Sequence, residues 1–319
     1  MGWTVRDIPD LRGRTVVVTG AGGGPGFVTA RELARRGAHT ILACRDRRRG
    51  ARALERLLAQ VPEARAELRL LDLADLSSVR AFAAGYGDRP LDVLINNAGP
   101  APVAYGRTAD GFETQFGVSH LGHFALTGLL LDQLLATPGA RVVTVSSLLH
   151  LTGSGVLDPE RRYRRWRAHS RSKAANLLFT HELARRARAA GADLLAAAVH
   201  PGFAETEPGG EEAGDAGGGT GQRLARTAHR LFAAGPEVGA APILYAATAP
   251  EVTADSFTGP SVLGGRRLRG GPGAGWRAPW TRRDEPAERL WRRSEELTGV
   301  RYEALPPVPA PPRSGPPQS

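Results

Sequence analysis

The sequence predicts an α/β fold: a doubly wound parallel sheet of about seven strands with helices on both faces. Two observations carry this. A short apolar run at 14–20 opens into a glycine-rich turn and then an apolar-periodic helix through Ala30, Leu33 and Ala34. After it, short β-type runs alternate with helical stretches, an order that right-handed crossovers wind into an open parallel sheet.

The elements follow in turn. Strands are expected at His39–Ala43, Glu67–Leu71, Leu91–Ile95, Arg141–Ser146 and Leu194–Val199, with a short one near Ser256. Helices are expected at Arg47–Gln60, Ser77–Ala84, Gly111–Leu135, Ser170–Ala189, Arg223–Ala233, Glu237–Ala247 and Glu285–Leu297. Residues 1–302 read as one domain. Residues 207–222 are too glycine-rich to pack and follow a strand's carboxyl end, so they read as either a mobile lid over a ligand or a plain insertion. Residues 303–319, proline-rich from Pro306, read as a disordered tail.

Composition narrows the function. A hydrophobic content of 41% suits a globular core, and no apolar run approaches the roughly 18 residues of a membrane span, so a cytoplasmic protein is expected. The single cysteine, Cys44, precludes an internal disulfide, and no Cys/His cluster has metal-ligand spacing. The net charge of +10 raises the question of nucleic acid. The arginine runs are scattered and lack interleaved aromatics, which fits a solvated face or an acidic partner better. Lys173 is the only lysine in the chain, in a sequence where arginine fills every other basic position.

The turn Thr19-Gly20-Ala21-Gly22-Gly23-Gly24-Pro25-Gly26 lies between a strand and a helix, where a pyrophosphate can rest on free backbone N–H groups and the helix dipole. Thr19, Gly20, Gly24 and Gly26 are the candidate contacts, while Pro25 removes one donor. At the end of the second strand an acidic residue would select a free ribose. Here Cys44 and Arg45 stand there, and an arginine suits a 2′-phosphate, which points to NADP(H). A surface arginine is the plainer reading.

These residues resemble the short-chain dehydrogenase/reductase family and its retinol-dehydrogenase-like branch, over about residues 3–302. The resemblance runs through Thr19–Gly26, Ala43-Cys44-Arg45-Asp46, Leu71-Asp72-Leu73, Asn96-Asn97-Ala98-Gly99, Asp110–Val118, His120–Phe124 and Val145-Ser146-Ser147. It continues in Ser170–Lys173, His200-Pro201-Gly202-Phe203 with Thr206, and Leu290–Gly299. It implies that Asp72 holds the adenine and that Asn96, Asn97, Ala98 and Gly99 line the adenosine ribose. Pro201, Gly202 and Thr206 would grip the carboxamide, Lys173 would bind the nicotinamide ribose, and Ser147 would polarise the substrate oxygen. In the family a tyrosine four residues before the lysine moves the proton and an asparagine supports the relay. His169 and Ser119 occupy those two positions here. Tyr163 is expected to pack at the rim, and His120, His123, His150 and His200 to satisfy backbone groups.

Beside Lys173 an imidazolium is disfavoured, so His169 is expected to be neutral at pH 7, a fair base and a poor acid. It also reaches about 2 Å less far than a tyrosine, so proton transfer needs a shifted substrate or a water. An NADP(H)-dependent oxidoreductase acting on a hydroxyl or carbonyl of an apolar small molecule is the first reading. The alternatives are a non-redox cyclase, isomerase or dehydratase using His169 as base, and a cofactor-binding protein without turnover. The family often pairs through the helix of the catalytic lysine, so a homodimer is a further expectation.

Overall fold

A computed structural model describes residues 2–156, 160, 163–202, 235–260 and 272–308. The sheet begins with β1 (Thr15–Thr19), whose valines alternate between two cores: Val17 faces one, Val16 and Val18 the other. The same division runs through β2 (His39–Cys44), where Ile41 and Ala43 face one core and Leu42 and Cys44 the other. Strands buried on both faces have to be apolar throughout, which is why they stand out in the sequence.

Six further strands complete the sheet among the described residues: β3 (Ala66–Leu70), β4 (Val93–Asn96), β5 (Ala140–Val145), β6 (Leu194–Val199), β7 (Phe257–Pro260) and β8 (Pro272–Ala274). Their order is β3-β2-β1-β4-β5-β6-β7-β8, parallel except for the last pair. Val17 lies opposite Ile41 on one side and Leu94 on the other, so the winding reverses between β1 and β4. That reversal opens a crevice at the carboxyl edge, where ligands of such sheets bind.

One core is closed by α1 (Gly24–Arg35), α2 (Arg47–Gln60) and α8 (Pro236–Thr248), the other by α3 (Leu76–Tyr86), α5 (Gly122–Leu129) and α7 (Arg165–Ala189). Between α3 and α5 come α4 (Thr114–Phe116) and a π-helical turn, Gly117–Leu121, and after α5 comes α6 (Leu131–Leu135). The last helix, α9 (Asp284–Thr298), lies across α7 and α5. Trp291 on α9 packs on Phe124, Phe179 and Tyr302, with ring centroids 4.5–5.7 Å apart. The start of α9 is pinned by His181, whose ring lies 2.8 Å from Asp255 and 2.9 Å from Asp284.

Four expectations are corrected. The helix over 111–135 is interrupted by the π-turn and by Leu130, whose φ of −104° and ψ of 12° leave the helical region. α7 begins at Arg165 rather than Ser170: Arg165 to His169 add a first turn with no side-chain cap to mark it. An eighth strand, only three residues long, pairs antiparallel to β7. The tail does not start at 303: Tyr302 and Leu305 are buried, and the Leu305 carbonyl accepts from Arg186 Nη1 at 3.2 Å, so one apolar residue anchors an otherwise proline-rich segment. The lid at 207–222, the helix at 223–233 and residues 309–319 lie outside the described residues.

Candidate active site

Every candidate residue among the described ones lies at or just beyond the carboxyl end of a strand, except Gly24 and Gly26 at the start of α1, Ser119 on the π-turn and His169 and Lys173 on α7. The glycine turn leaves β1 at Gly20, at φ +69°, and enters α1 at Gly24, at φ +54°. No side chain caps α1, so its first N–H groups have no partner of that kind, and a Cβ on Gly24 would meet nothing within 4 Å. Such open donors fit a pyrophosphate.

Close packing holds the turn. A Cβ on Gly26 would stand 2.5 Å from Asn97 Nδ2 and 2.7 Å from the Gly20 carbonyl, both fixed parts of the site. Gly26→Ala is therefore expected to cost about 1–3 kcal/mol and to weaken NADPH binding at least tenfold. Thermal unfolding and a fluorescence titration measure the two effects.

Thr19 is fully buried and does not face the crevice, so its expected contact with a cofactor is not made by its side chain. Its Oγ1 instead accepts from the backbone N–H groups of Asn97 and Ala98, each at 2.9 Å, and lies 2.8 Å from His123 Nε2. His123 Nδ1 lies 3.1 Å from the Ser119 carbonyl, which can only accept, so that nitrogen carries the proton. Burial pushes this ring's pKa down to about 4. The neutral ring thus accepts the Thr19 hydroxyl proton on Nε2. One threonine ties β1, the loop after β4 and the π-turn together, and Asn97 adds a bond from Nδ2 to the Thr19 carbonyl at 2.7 Å.

At the end of β2, Arg45 is exposed and makes no hydrogen bond or ion pair among the described residues. Arg49, unremarked in the sequence, folds back over the turn: a Cβ on Gly23 would lie 3.1 Å from its Nη2. The adjacent Cys44 thiol is buried and pushed up to about 11, which makes it inert. After β3, Asp72 is half-buried and spends Oδ1 on the Ala74 N–H at 2.9 Å, leaving its other oxygen available.

The proton-handling groups converge around β5. Ser147 is half-buried just after that strand, and its Oγ accepts from Leu149 N at 3.2 Å. Lys173 donates from Nζ to the Val145 carbonyl at 3.2 Å, and its own carbonyl accepts from Ser146 Oγ at 2.7 Å. Burial lowers the pKa of Lys173 to about 8. His169, one turn earlier on α7, is pushed down to about 3 by burial and then by the Lys173 charge. This sharpens the expectation of a neutral ring and corrects that of a fair base, since so low a pKa makes the ring a weak one.

A Cβ on Gly99 would stand 3.2 Å from both Lys173 Nζ and Ser119 Oγ. The fully buried Ser119 Oγ and the buried His169 Nδ1 have no hydrogen-bond partner among the described residues. Unsatisfied buried polar atoms are costly, and a polar ligand can satisfy them. Tyr163 sits at the rim as expected, accepting from Gln115 Nε2 at 2.8 Å and donating to the Val103 carbonyl at 2.9 Å.

Pro201 and Gly202, the latter at φ +76°, follow β6, and Gly202 N donates to His200 Nδ1 at 3.3 Å. Thr206 lies outside the described residues. His123, His150 and His200 bond backbone groups as expected; His120 instead pairs with Ser294 Oγ at 2.8 Å.

With this geometry in view, likeness to known proteins has a definite content. Residues 14–215 match the short chain dehydrogenase family. Human retinol dehydrogenase 12 is 40% identical over 316 residues, covering 95% of this chain and 92% of the relative. Human retinol dehydrogenase 13 is 39% identical, covering 94% and 89%. The crystal structure of an uncharacterised protein from Mycobacterium paratuberculosis superposes with a TM-score of 0.76 at 44% identity, covering 95% of this chain and 99% of that one.

Proposed function

The chain belongs to the short-chain dehydrogenase family of oxidoreductases, and from that premise we propose that it works with NADP(H) on a hydroxyl or carbonyl of a mostly apolar small molecule. The observation that carries the reading is the placing of Lys173 Nζ on the Val145 carbonyl, two residues before Ser147 and one turn after His169, with Ser119 Oγ and His169 Nδ1 buried and without partners among the described residues. A bound nicotinamide would supply or take up the hydride.

The rest falls to the chain's own residues. Gly20, Gly24 and Gly26 with the N-terminus of α1 would hold the pyrophosphate, and Asp72 with Asn97, Ala98 and Gly99 would hold the adenosine. Lys173, Pro201, Gly202 and Thr206 would hold the nicotinamide end. Arg45 and Arg49 give the turn two guanidinium groups and no acid at the ribose position, which favours a 2′-phosphate. Ser147 Oγ orients the substrate oxygen. The neutral His169 passes the proton, and Lys173, whose pKa lies nearest neutrality, stores it. Ser119 fills the relay from the π-turn.

The sign of the pH dependence follows from Lys173. Its ammonium is present below about pH 8, so carbonyl reduction, which consumes a proton, is expected to fall above that pH. Alcohol oxidation is expected to rise toward it. Steady-state consumption of NADPH with a carbonyl panel that includes retinal, and of NADP⁺ with the matching alcohols, tests the reading; absence of turnover in both directions would sink it. In the same assay Arg45→Ala is expected to weaken NADPH binding about 10- to 100-fold and NADH binding less than threefold. Equal losses for the two cofactors would remove the case for the 2′-phosphate.

His169 Nδ1, without a partner among the described residues, also favours a second reading, a non-redox enzyme in which this ring serves as a weak base that relays a proton, with the cofactor structural. Conversion of a substrate without a change in the nicotinamide absorbance would select it.

A further inference from the structure

Four residues beyond β8 the chain makes a buried contact that looks remote from the chemistry, yet it ends on Ser147. His150 lies in the 3-10 turn Leu148–Thr152 that follows Ser147 and is completely buried. Each ring nitrogen has one partner: Nδ1 is 2.6 Å from the Ser147 carbonyl, and Nε2 is 3.1 Å from Ala278 N. A backbone N–H can only donate, so Nε2 accepts and bears no hydrogen. The proton must then sit on Nδ1 and point at the Ser147 carbonyl. Burial, with the nearby Arg277 charge, keeps the ring neutral and this single tautomer in place. Phe257 holds the ring edge-on at 5.4 Å.

The segment that dictates the tautomer is itself pinned. The Arg277 side chain, 1% exposed, donates from Nη1 to the Asp255 carbonyl at 2.9 Å and to Asp255 Oδ1 at 2.6 Å. Its Nη2 donates to the Leu177 carbonyl at 3.1 Å and the Thr281 carbonyl at 2.8 Å, and its Nε to Thr281 Oγ1 at 3.1 Å. Leu177 is on α7, one turn past Lys173. The strap Gly275–Arg282 is thereby registered to the helix that carries His169 and Lys173. Through His150 it is registered to Ser147 as well.

We propose that this strap is a working part of the active site: with His150 as the positioning residue, it sets Ser147 in register with His169 and Lys173. The proposal rests on the reading of Ser147 as the group that orients the substrate oxygen. Its physical basis is the steep dependence of rate on placement, where a displacement of about 1 Å costs about 100-fold. Released from Ala278, the turn that follows the extended Ser147, at φ −154° and ψ 155°, loses its tie to the strap and keeps only its own bonds and those to α7.

Ala278→Pro is the sharpest test. Ala278 has φ −61° and ψ 128°, a backbone that proline adopts, so the substitution removes the N–H that donates to His150 and sets a ring carbon against Nε2, which drives the imidazole off the strap. Turnover number is expected to fall about 10- to 100-fold, with the NADPH dissociation constant within about twofold and the unfolding midpoint lowered only modestly. His150→Asn, which keeps a donor near the Ser147 carbonyl but cannot reach the strap, is expected to match it. Nitrogen-15 NMR of the histidine side chains supplies a readout free of turnover: a neutral, Nδ1-protonated His150 in the wild type, and loss of that fixed tautomer in Ala278→Pro. Loss of the tautomer with full turnover overturns the proposal. So does a parallel collapse of NADPH binding and stability in both variants, which marks a merely structural strap. Full turnover in Ser147→Ala instead overturns the underlying reading of Ser147, and leaves the hydrogen-bond chain itself intact.

Discussion

His169→Phe is expected to lower the turnover number for carbonyl reduction about 100-fold or more at pH 7, while NADPH affinity stays within about twofold. Phenylalanine keeps the ring and its packing but removes both nitrogens, so the loss isolates proton handling. Because burial and the Lys173 charge hold the ring near a pKa of about 3, His169 is neutral from pH 5 to 9 and adds no limb near its usual 6.5. The wild-type profile should therefore bend only near pH 8, where Lys173 titrates. A limb near 6.5 that vanishes in His169→Phe would show the ring to be an ordinary acid–base group after all. His169→Tyr is the companion variant, since a phenol reaches about 2 Å farther from the backbone. An inert wild type beside an active His169→Tyr would end the case for natural hydride transfer.

Lys173→Met is expected to do two opposite things: abolish turnover by about 1,000-fold and stabilise the fold by on the order of 3 kcal/mol at pH 7. The first follows from losing the proton store and a ribose ligand. The second follows from burial, which lowers the lysine from 10.5 to about 8 and so makes the charged form costly in the folded state. Between pH 8 and 10.5 the unfolded chain binds the proton that the folded one releases, so wild-type stability contributed by this group rises with pH and the gap to Lys173→Met closes. No carbonyl is orphaned, because Val145 O still accepts from Asn176 Nδ2 at 3.0 Å. Urea unfolding at pH 7 and pH 10 measures the gap. A methionine variant less stable than wild type at pH 7 would refute this account.

What could be read before the structure was whatever local chemistry specifies. β2, α2 and β6 run almost where periodicity puts them, since doubly buried strands must be continuous apolar runs and α2 starts at its own cap, Asp46. Ser147, His169 and Lys173 were legible by spacing and resemblance. Arg49 was not: its guanidinium reaches Gly23 only because α2 returns beside the turn, a relation between elements that no window of sequence contains. β8 was missed for a like reason, since Pro-Gly-Ala has little strand preference and its pairing comes from β7. Leu305 hid in a proline-rich composition that reads as tail, and its burial depends on Arg186 and the core beneath α9. His150 showed as a backbone partner, but the identity of that partner, 128 residues away, depends on tertiary structure.

The position of α9 also bears on synthesis. Tyr302 donates to the Phe124 carbonyl across 178 residues, and Trp291 closes over Phe124 and Phe179. A chain leaving the ribosome completes the described strands of the sheet before this cover is made, so the aromatic face of α5 and α7 stays wet until Trp291 and Tyr302 emerge. Nascent chains stalled before Trp291 would expose that face, which makes the interval between the emergence of α7 and that of α9 the one in which a chaperone has something to hold.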